Sequence, residues 1–350
     1  MKNSKLKAID LFCGIGGMTH GLIESGIDVI AGFDIDESCK FAFEYNNNST
    51  FYNIDISELS GELLLKLYPE DSIKILVGCA PCQPFSKHTY KVKGREKDKK
   101  WNLLYEFGRL IKEVEPDIIS MENVPQIEKQ NVFIDFIHIL EKLNYHIYNK
   151  TILAADYGIP QTRRRKVVLA SKIGTISLIE PTHKKEDYQT VLDTIGNMKP
   201  IRDGEVSKTD GLHRASKLGE KNRLRIQNSR PGGTWRDWPK ELRASCHLKE
   251  NGKTYSSVYA RMELDKPAPT ITTQFYNYGT GRFGHPEQDR ALSLREGALL
   301  QTFPLDYKFI DPYKQINFTK LGTHIGNAVP VKLGAVIGDS IIKHAEEFYE

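Results

Sequence analysis

Three observations predict an α/β fold: a Rossmann-like, mostly parallel sheet joined to a second, smaller domain. Over the first 170 residues, short β-rich runs alternate with helical periodicity, the pattern of crossover helices covering both faces of parallel strands. A glycine turn, Gly14-Ile15-Gly16-Gly17, follows the first β-rich run, where a ligand approaches the backbone in such folds. After Ser171 the composition shifts, and from about 183 to 290 the chain is rich in Gly, Arg, Lys, Thr and Asn with poor periodicity.

The predicted strands cover 6–12, 28–33, 73–78, 117–121 and 167–170, with helices near 17–25, 38–45, 103–114 and 132–143. A stretch with loops and short strands follows, and the apolar tail 331–348 reads as a helix that docks back on the first domain. The expected division is 1–180 plus 322–350, then 181–290, with 291–321 as hinge.

With 39% hydrophobic residues in 350, the chain has enough apolar content for a sizeable core. Its net charge of +4 argues against a general polyanion binder, so local charge matters more. No long uncharged apolar stretch suggests a bilayer span, and the expectation is a cytoplasmic protein. Five cysteines in a chain of this size predict reduced thiols rather than a disulfide framework.

The chemistry gathers at strand ends. Thr19 stands where a dinucleotide fingerprint has its third glycine, which counts against a nicotinamide cofactor. Asp34 ends the second strand about 20 residues after the glycines, the place of an acid that binds ribose hydroxyls. Ile35 is suited to packing on an adenine face, and Asp55, at the end of a third strand, to its exocyclic amine. Each of these acids also reads as ordinary loop solvation.

Gly78-Cys79-Ala80-Pro81-Cys82-Gln83-Pro84-Phe85-Ser86 follows an apolar strand, and its prolines restrict the backbone on both sides of Cys82. Cys79 and Cys82 form a Cys-x-x-Cys, but zinc would need a second ligand pair and a redox motif usually starts a helix. Glu122, at another strand end, reads as a proton donor raised by desolvation or as a helix cap. In Gln161-Thr162-Arg163-Arg164-Arg165-Lys166 the arginines read as a clamp for a phosphate or carbonyl, or as a solvated charge run.

Taken together, the sequence resembles the DNA cytosine-5 methyltransferase family, with the elements in family order. The matching pieces are 10–17, 33–36, 78–86, Glu122-Asn123-Val124, 161–165, Ala260-Arg261 with 267–273, and 322–330. The resemblance implies a methyltransferase domain, a smaller DNA-recognition domain, S-adenosyl-L-methionine as methyl donor, no metal, and double-stranded DNA as substrate. It implies Cys82 as nucleophile toward carbon 6 of a flipped cytosine, Glu122 holding N3 and the amine, and Arg163 and Arg165 on the O2 side. It carries Phe12, Gly14, Gly16, Asp34, Ile35, Asp55, Ile56, Pro81, Leu103, Asn327 and Val329 to the donor pocket. Ser86 and His88 become candidates for filling the space the base leaves, and Thr270 for contacting phosphate. Many relatives have glycine or a larger apolar residue at Cys79, and the expected consequence is altered packing, not altered chemistry.

Two basic segments fit a DNA partner. Residues 87–100 carry seven Lys or Arg against two acids, which suits a loop that closes over the phosphates. Residues 214–243 carry nine against three, with Trp235, Trp238, Arg230 and Arg236. A restriction-modification methylase acting as a monomer is the implied setting, beside a cognate endonuclease that reads the same site. The rival readings are an RNA cytosine-5 methyltransferase, whose Cys-Phe-Thr signature is missing, a binding protein, and a nicotinamide dehydrogenase.

Overall fold

The structure, a computed structural model, describes residues 5–81, 102–252 and 256–349. Cys82, Ser86, His88 and the whole basic segment 87–100 lie outside the described residues.

The first half is a seven-stranded sheet: β1 Leu6–Leu11, β2 Asp28–Asp34, β3 Thr50–Asn53, β4 Ile73–Gly78, β5 Ile118–Asn123, β6 His146–Leu153 and β7 Arg164–Ser171. The strand order is β3-β2-β1-β4-β5-β7-β6. Neighbours pair in parallel except around β7, which runs against both β5 and β6. From β1 the chain steps outward through β2 to β3, then returns to place β4 on β1's other side. This reversal opens a crevice between the carboxyl ends of β1 and β4, the usual ligand site of open α/β sheets.

Period-two patterning builds the two cores. Ile9 and Leu11 of β1 pack with Phe33, Leu76 and Ile119 under Phe107 and Phe136. Leu6 and Ala8 face the other way, with Val29, Ile75, Val167 and Leu169. Helices α1 Gly17–Glu24, α2 Lys40–Asn47, α3 Gly61–Leu67, α4 Leu103–Val114 and α5 Asn131–Lys142 connect the strands. Sequence reasoning missed α3, a short run capped by the Ser60 hydroxyl on the Leu63 N–H, and β6, an edge strand with a single fully buried residue.

Beyond Ser171 the described residues form no strand, contrary to the expectation of short strands. They hold α6 Val191–Ile195, α7 Glu220–Gln227 and α8 Ser245–Leu248, with isolated bridges only. Side-chain donors take the place of a ladder here. Buried Arg261 donates to the carbonyls of Ile226, Ser229, His285 and Gln288, tying distant loops together without paired strands. A small core of Leu218, Ile226, Trp235, Trp238, Tyr278 and Ala291 sits in this region.

The chain ends in α9 Leu294–Leu300, α10 Phe318–Asn327 and α11 Val331–Tyr349. As the sequence suggested, α11 returns to the first half: Leu333, Ile337 and Ile341 join the core beneath α1. The stretch Phe318–Phe348 passes for a bilayer span by length and composition, though it carries charges at Lys320, Lys332, Asp339 and Lys343. It consists of two helices, and 67% of its most apolar window is buried inside the protein.

Candidate active site

The glycine turn leaves β1 through three left-handed positions at alternate residues: Phe12 at φ 62°, Gly14 at 51° and Gly16 at 83°. At Gly16 a Cβ would lie 2.5 Å from Asn47 Nδ2, so glycine is required twice over. At Gly14 a Cβ would meet nothing within 4 Å, because this backbone faces open space at the crevice. Asp34 holds the turn from the end of β2. Its Oδ2 accepts the Gly14 N–H and its Oδ1 the Asp36 N–H, both at 2.9 Å. Burial raises the Asp34 pKa above the usual carboxylate range, and those two N–H bonds oppose the rise.

Thr19, the residue that broke the dinucleotide pattern, serves a buried acid instead. Its hydroxyl donates to Asp10 Oδ2 at 2.7 Å in the interior. Burial pushes the Asp10 carboxyl up to about 7, with the Thr19 bond pulling it down and Asp34 adding to the rise.

The other donor-pocket candidates lie along the same carboxyl edge. Ile35 follows β2 with 69% of its surface exposed, the condition for stacking on a flat ligand. The Asp55 carboxylate accepts the N–H and hydroxyl of Ser57 through Oδ1 at 2.9 and 2.8 Å. The Ile56 side chain is buried in the core under α4. Pro81 follows β4, half-buried, and Leu103 opens α4, also half-buried. Asn327 ends α10 exposed, and Val329 lies buried in the link to α11.

At the end of β5 the Glu122 side chain is 2% exposed. Arg165 Nε lies 2.7 Å from Glu122 Oε1, and an Arg163 terminal nitrogen lies 3.7 Å from the same oxygen. The other oxygen, Oε2, accepts the Cys79 thiol at 2.8 Å. That contact gives Cys79 a polar partner in addition to the packing role expected of it. Asn123 next door donates to the Ala80 carbonyl at 3.1 Å and so ties the β5 end to the turn after β4.

The arginine run is not a solvated face. Arg163 is buried and Arg165 nearly so, while Arg164 between them is exposed. Alternate residues of a strand point to opposite faces, which explains the pattern. Buried Gln161, missed by sequence reasoning as a role-bearing residue, donates to Gln301 Oε1 at 2.8 Å and accepts the Ile271 N–H at 2.9 Å. Thr162 N–H bonds the Ala268 carbonyl at 2.8 Å. Half-buried Thr270 is thereby carried beside the segment that holds Arg163.

Farther out, Arg230 is exposed and 3.5 Å from Asp237, and Arg236 lies over the Trp235 ring at 5.2 Å. Asp36, Cys39 and His324 are the described group with potential metal-ligand atoms within 4.8 Å of one another. Lys320 Nζ already sits 3.1 Å from Asp36 Oδ1, so a cation there would face an ammonium.

Comparison with known proteins places the whole chain among similar ones. The family model described as C-5 cytosine-specific DNA methylase matches residues 6–343. The Type II methylase M.HgiDII of Herpetosiphon aurantiacus is 55% identical over 345 residues, covering 98% of this chain and 96% of that protein. The Type II methyltransferase M1.HphI of Haemophilus parahaemolyticus is 30% identical over 349 residues, covering 97% and 87%. Among solved structures, a prophage-encoded Escherichia coli protein described as a DNA modification methyltransferase shares the fold. Its TM-score is 0.73 at 22% identity, covering 97% of this chain and 99% of that one.

Proposed function

The chain belongs to the C-5 cytosine-specific DNA methylase family, and on that premise we propose that it methylates cytosine in double-stranded DNA from S-adenosyl-L-methionine. The observation that carries this reading is the buried Glu122 carboxylate, braced by Arg165 and Arg163 beside the turn that leads to Cys82.

The donor, when bound, supplies an electrophilic methyl group on sulfonium sulfur. The open face at Gly14 and the Asp34 carboxylate fit it, since each carboxylate oxygen keeps a second lone pair for a ribose hydroxyl. Phe12, Gly16, Ile35, Asp55, Ile56, Pro81, Leu103, Asn327 and Val329 complete the pocket along the same edge, Ile56 through its backbone.

The target carbon is inaccessible inside a stacked duplex, so the cytosine is flipped out before reaction. Glu122 accepts from the exocyclic amine and passes N3 the proton it takes up as Cys82 adds, while Arg163 and Arg165, on the O2 side, supply the positive charge that holds Glu122 in the site. The Cys82 thiolate adds to carbon 6, moving an electron pair onto carbon 5, which takes the methyl group. A base then removes the carbon 5 proton, and that electron pair expels the thiolate. Ser86 and His88 occupy the gap in the duplex, while Arg230, Arg236 and Thr270 contact DNA. The reaction gives no role to a metal.

In this reading 1–180 with 322–350 form the catalytic domain, 181–290 the recognition domain and 291–321 the hinge. The Type II names of its relatives support a restriction-modification role, with a cognate endonuclease for the same site. The enzyme works as a cytoplasmic monomer.

The test incubates the purified chain with unmethylated phage DNA and labelled donor, then maps 5-methylcytosine by bisulfite sequencing. One recurrent methylated sequence is expected, with none from Cys82→Ser. DNA carrying 5-fluorocytosine at that site should trap a covalent adduct, because fluorine cannot leave as a proton does. Methyl transfer by Cys82→Ser at the wild-type rate would overturn the mechanism.

A further inference from the structure

Glu122 has to present one rotational state of its carboxylate to a base, yet the bond that sets this state is soft. The terminal torsion of a glutamate has broad, roughly two-fold preferences, so an ion pair to one oxygen leaves the carboxylate plane free to swing. Arg165 Nε and the more distant Arg163 both address Oε1. Oε1 nevertheless lacks a well-aligned hydrogen bond, so the guanidinium groups supply charge more than direction. The directional contact is on the other oxygen, where the Cys79 Sγ–H donates to Oε2 at 2.8 Å.

The sheet register creates this contact. Gly78, the last residue of β4, pairs with Met121 of β5, so Cys79, just past β4, comes beside Glu122, which is still within β5. Glycine at position 79 would leave that space empty, and an aliphatic residue would fill it without a proton to give. The nearby backbone is fixed as well, since the Cys79 N–H reaches the Leu11 carbonyl and Asn123 holds the Ala80 carbonyl.

We propose that Cys79 is a positioning residue for the methyl-transfer reaction: its thiol donates to Glu122 Oε2 and fixes the carboxylate plane that receives the cytosine. Cys79 need not touch the base. A carboxylate has about four lone-pair sites, so Oε2 can hold the thiol proton and still accept from a substrate amine. The role is distinct from that of Cys82, and it rests on the cytosine-methylase reading above.

The test compares wild type, Cys79→Ala and Cys79→Ser in the full-length chain, by methyl transfer to unmethylated phage DNA. Cys79→Ala should lower kcat by about tenfold, the scale of one hydrogen bond to a charged group, with KM for the donor nearly unchanged. Cys79→Ser, which keeps a donor, should recover most of that loss. A residue that only fills space gives the opposite order, with alanine tolerated and the buried hydroxyl harmful. Equal rates for Cys79→Ala and wild type, or a serine variant as slow as alanine, would overturn the proposal.

Infrared spectroscopy supplies an arm that needs no turnover. The S–H stretch lost in Cys79→Ala should lie below the other thiol bands and move upward in Glu122→Gln. A band unmoved by Glu122→Gln would overturn the contact itself. If the wild-type chain makes no 5-methylcytosine while the band moves as expected, the reaction assignment fails and the thiol–carboxylate contact stands.

Discussion

The carbonyl oxygen of Val329 lies only 2.3 Å from where a Cβ on Gly17 would sit. The glycine that opens α1 is therefore an inter-helix contact as much as a turn residue. Gly21, one turn later, is pressed by the Val331 carbonyl and the Ala335 N–H at 2.1 and 2.4 Å from its Cβ position. A methyl group at Gly17 must push away the link between α10 and α11, which carries Asn327 and Val329. Gly17→Ala should cost about 3 kcal/mol of stability, the upper range for overpacking. It should also weaken S-adenosyl-L-methionine binding in calorimetry beyond what unfolding explains.

Arg165 and Glu122 form a buried pair, and removing one member leaves an uncompensated charge. Arg165→Met should destabilise the protein by about 3–5 kcal/mol. Glu122→Gln should cost less stability but lower methyl transfer by about 100-fold, as expected when a group aimed at developing charge is lost. Equilibrium unfolding in urea and single-turnover rates separate the two effects. A Glu122→Gln enzyme with wild-type turnover would remove Glu122 from the mechanism.

The contrast between Asp34 and Cys79 explains how far the site could be read in advance. Asp34 acts within a short stretch: its partners Gly14 and Asp36 belong to the turn and strand that suggested it. Cys79 meets Glu122 across 43 positions, through a strand register that no linear pattern encodes. The same limit hid β6, whose alternation is blurred because an edge strand has little to bury. It also produced the false expectation of strands after Ser171, since polar, glycine-rich sequence does not reveal that Arg261 will bind four carbonyls. The Thr19–Asp10 bond shows a helpful failure: a broken fingerprint excluded one ligand class and, in three dimensions, supports a buried acid.

Arg290 and Glu296 form the second buried pair, a bidentate one with contacts of 2.8 and 2.6 Å. Burial alone would raise Glu296, but the Arg290 bonds and charge outweigh it and hold the carboxyl down at about 2. Its stabilising contribution is therefore present above the unfolded pKa near 4.5 and lost as pH falls toward 2. Arg290→Met should cost about 3–5 kcal/mol at neutral pH. The double variant Arg290→Met/Glu296→Leu should recover part of that loss, because no buried charge is then stranded. Urea midpoints of the three proteins at one pH check the order.

Asp10 works in the opposite sense. Its folded pKa of about 7 exceeds the value of 3.8 it has when exposed, so the folded chain keeps a proton that the unfolded chain has released. Folding thus takes up a proton across this interval, and stability declines as pH rises from about 4 to about 7. At 1.36 kcal/mol per unit the full span is on the order of 4 kcal/mol. Asp10→Asn has no proton to lose and can still accept the Thr19 hydroxyl through its amide oxygen. Its stability relative to wild type should therefore rise between about pH 4 and about pH 7 and level off above that in urea unfolding. Parallel curves for the two proteins would mean that Asp10 is ionised throughout, and the interior around Thr19 would then have to hold a full negative charge.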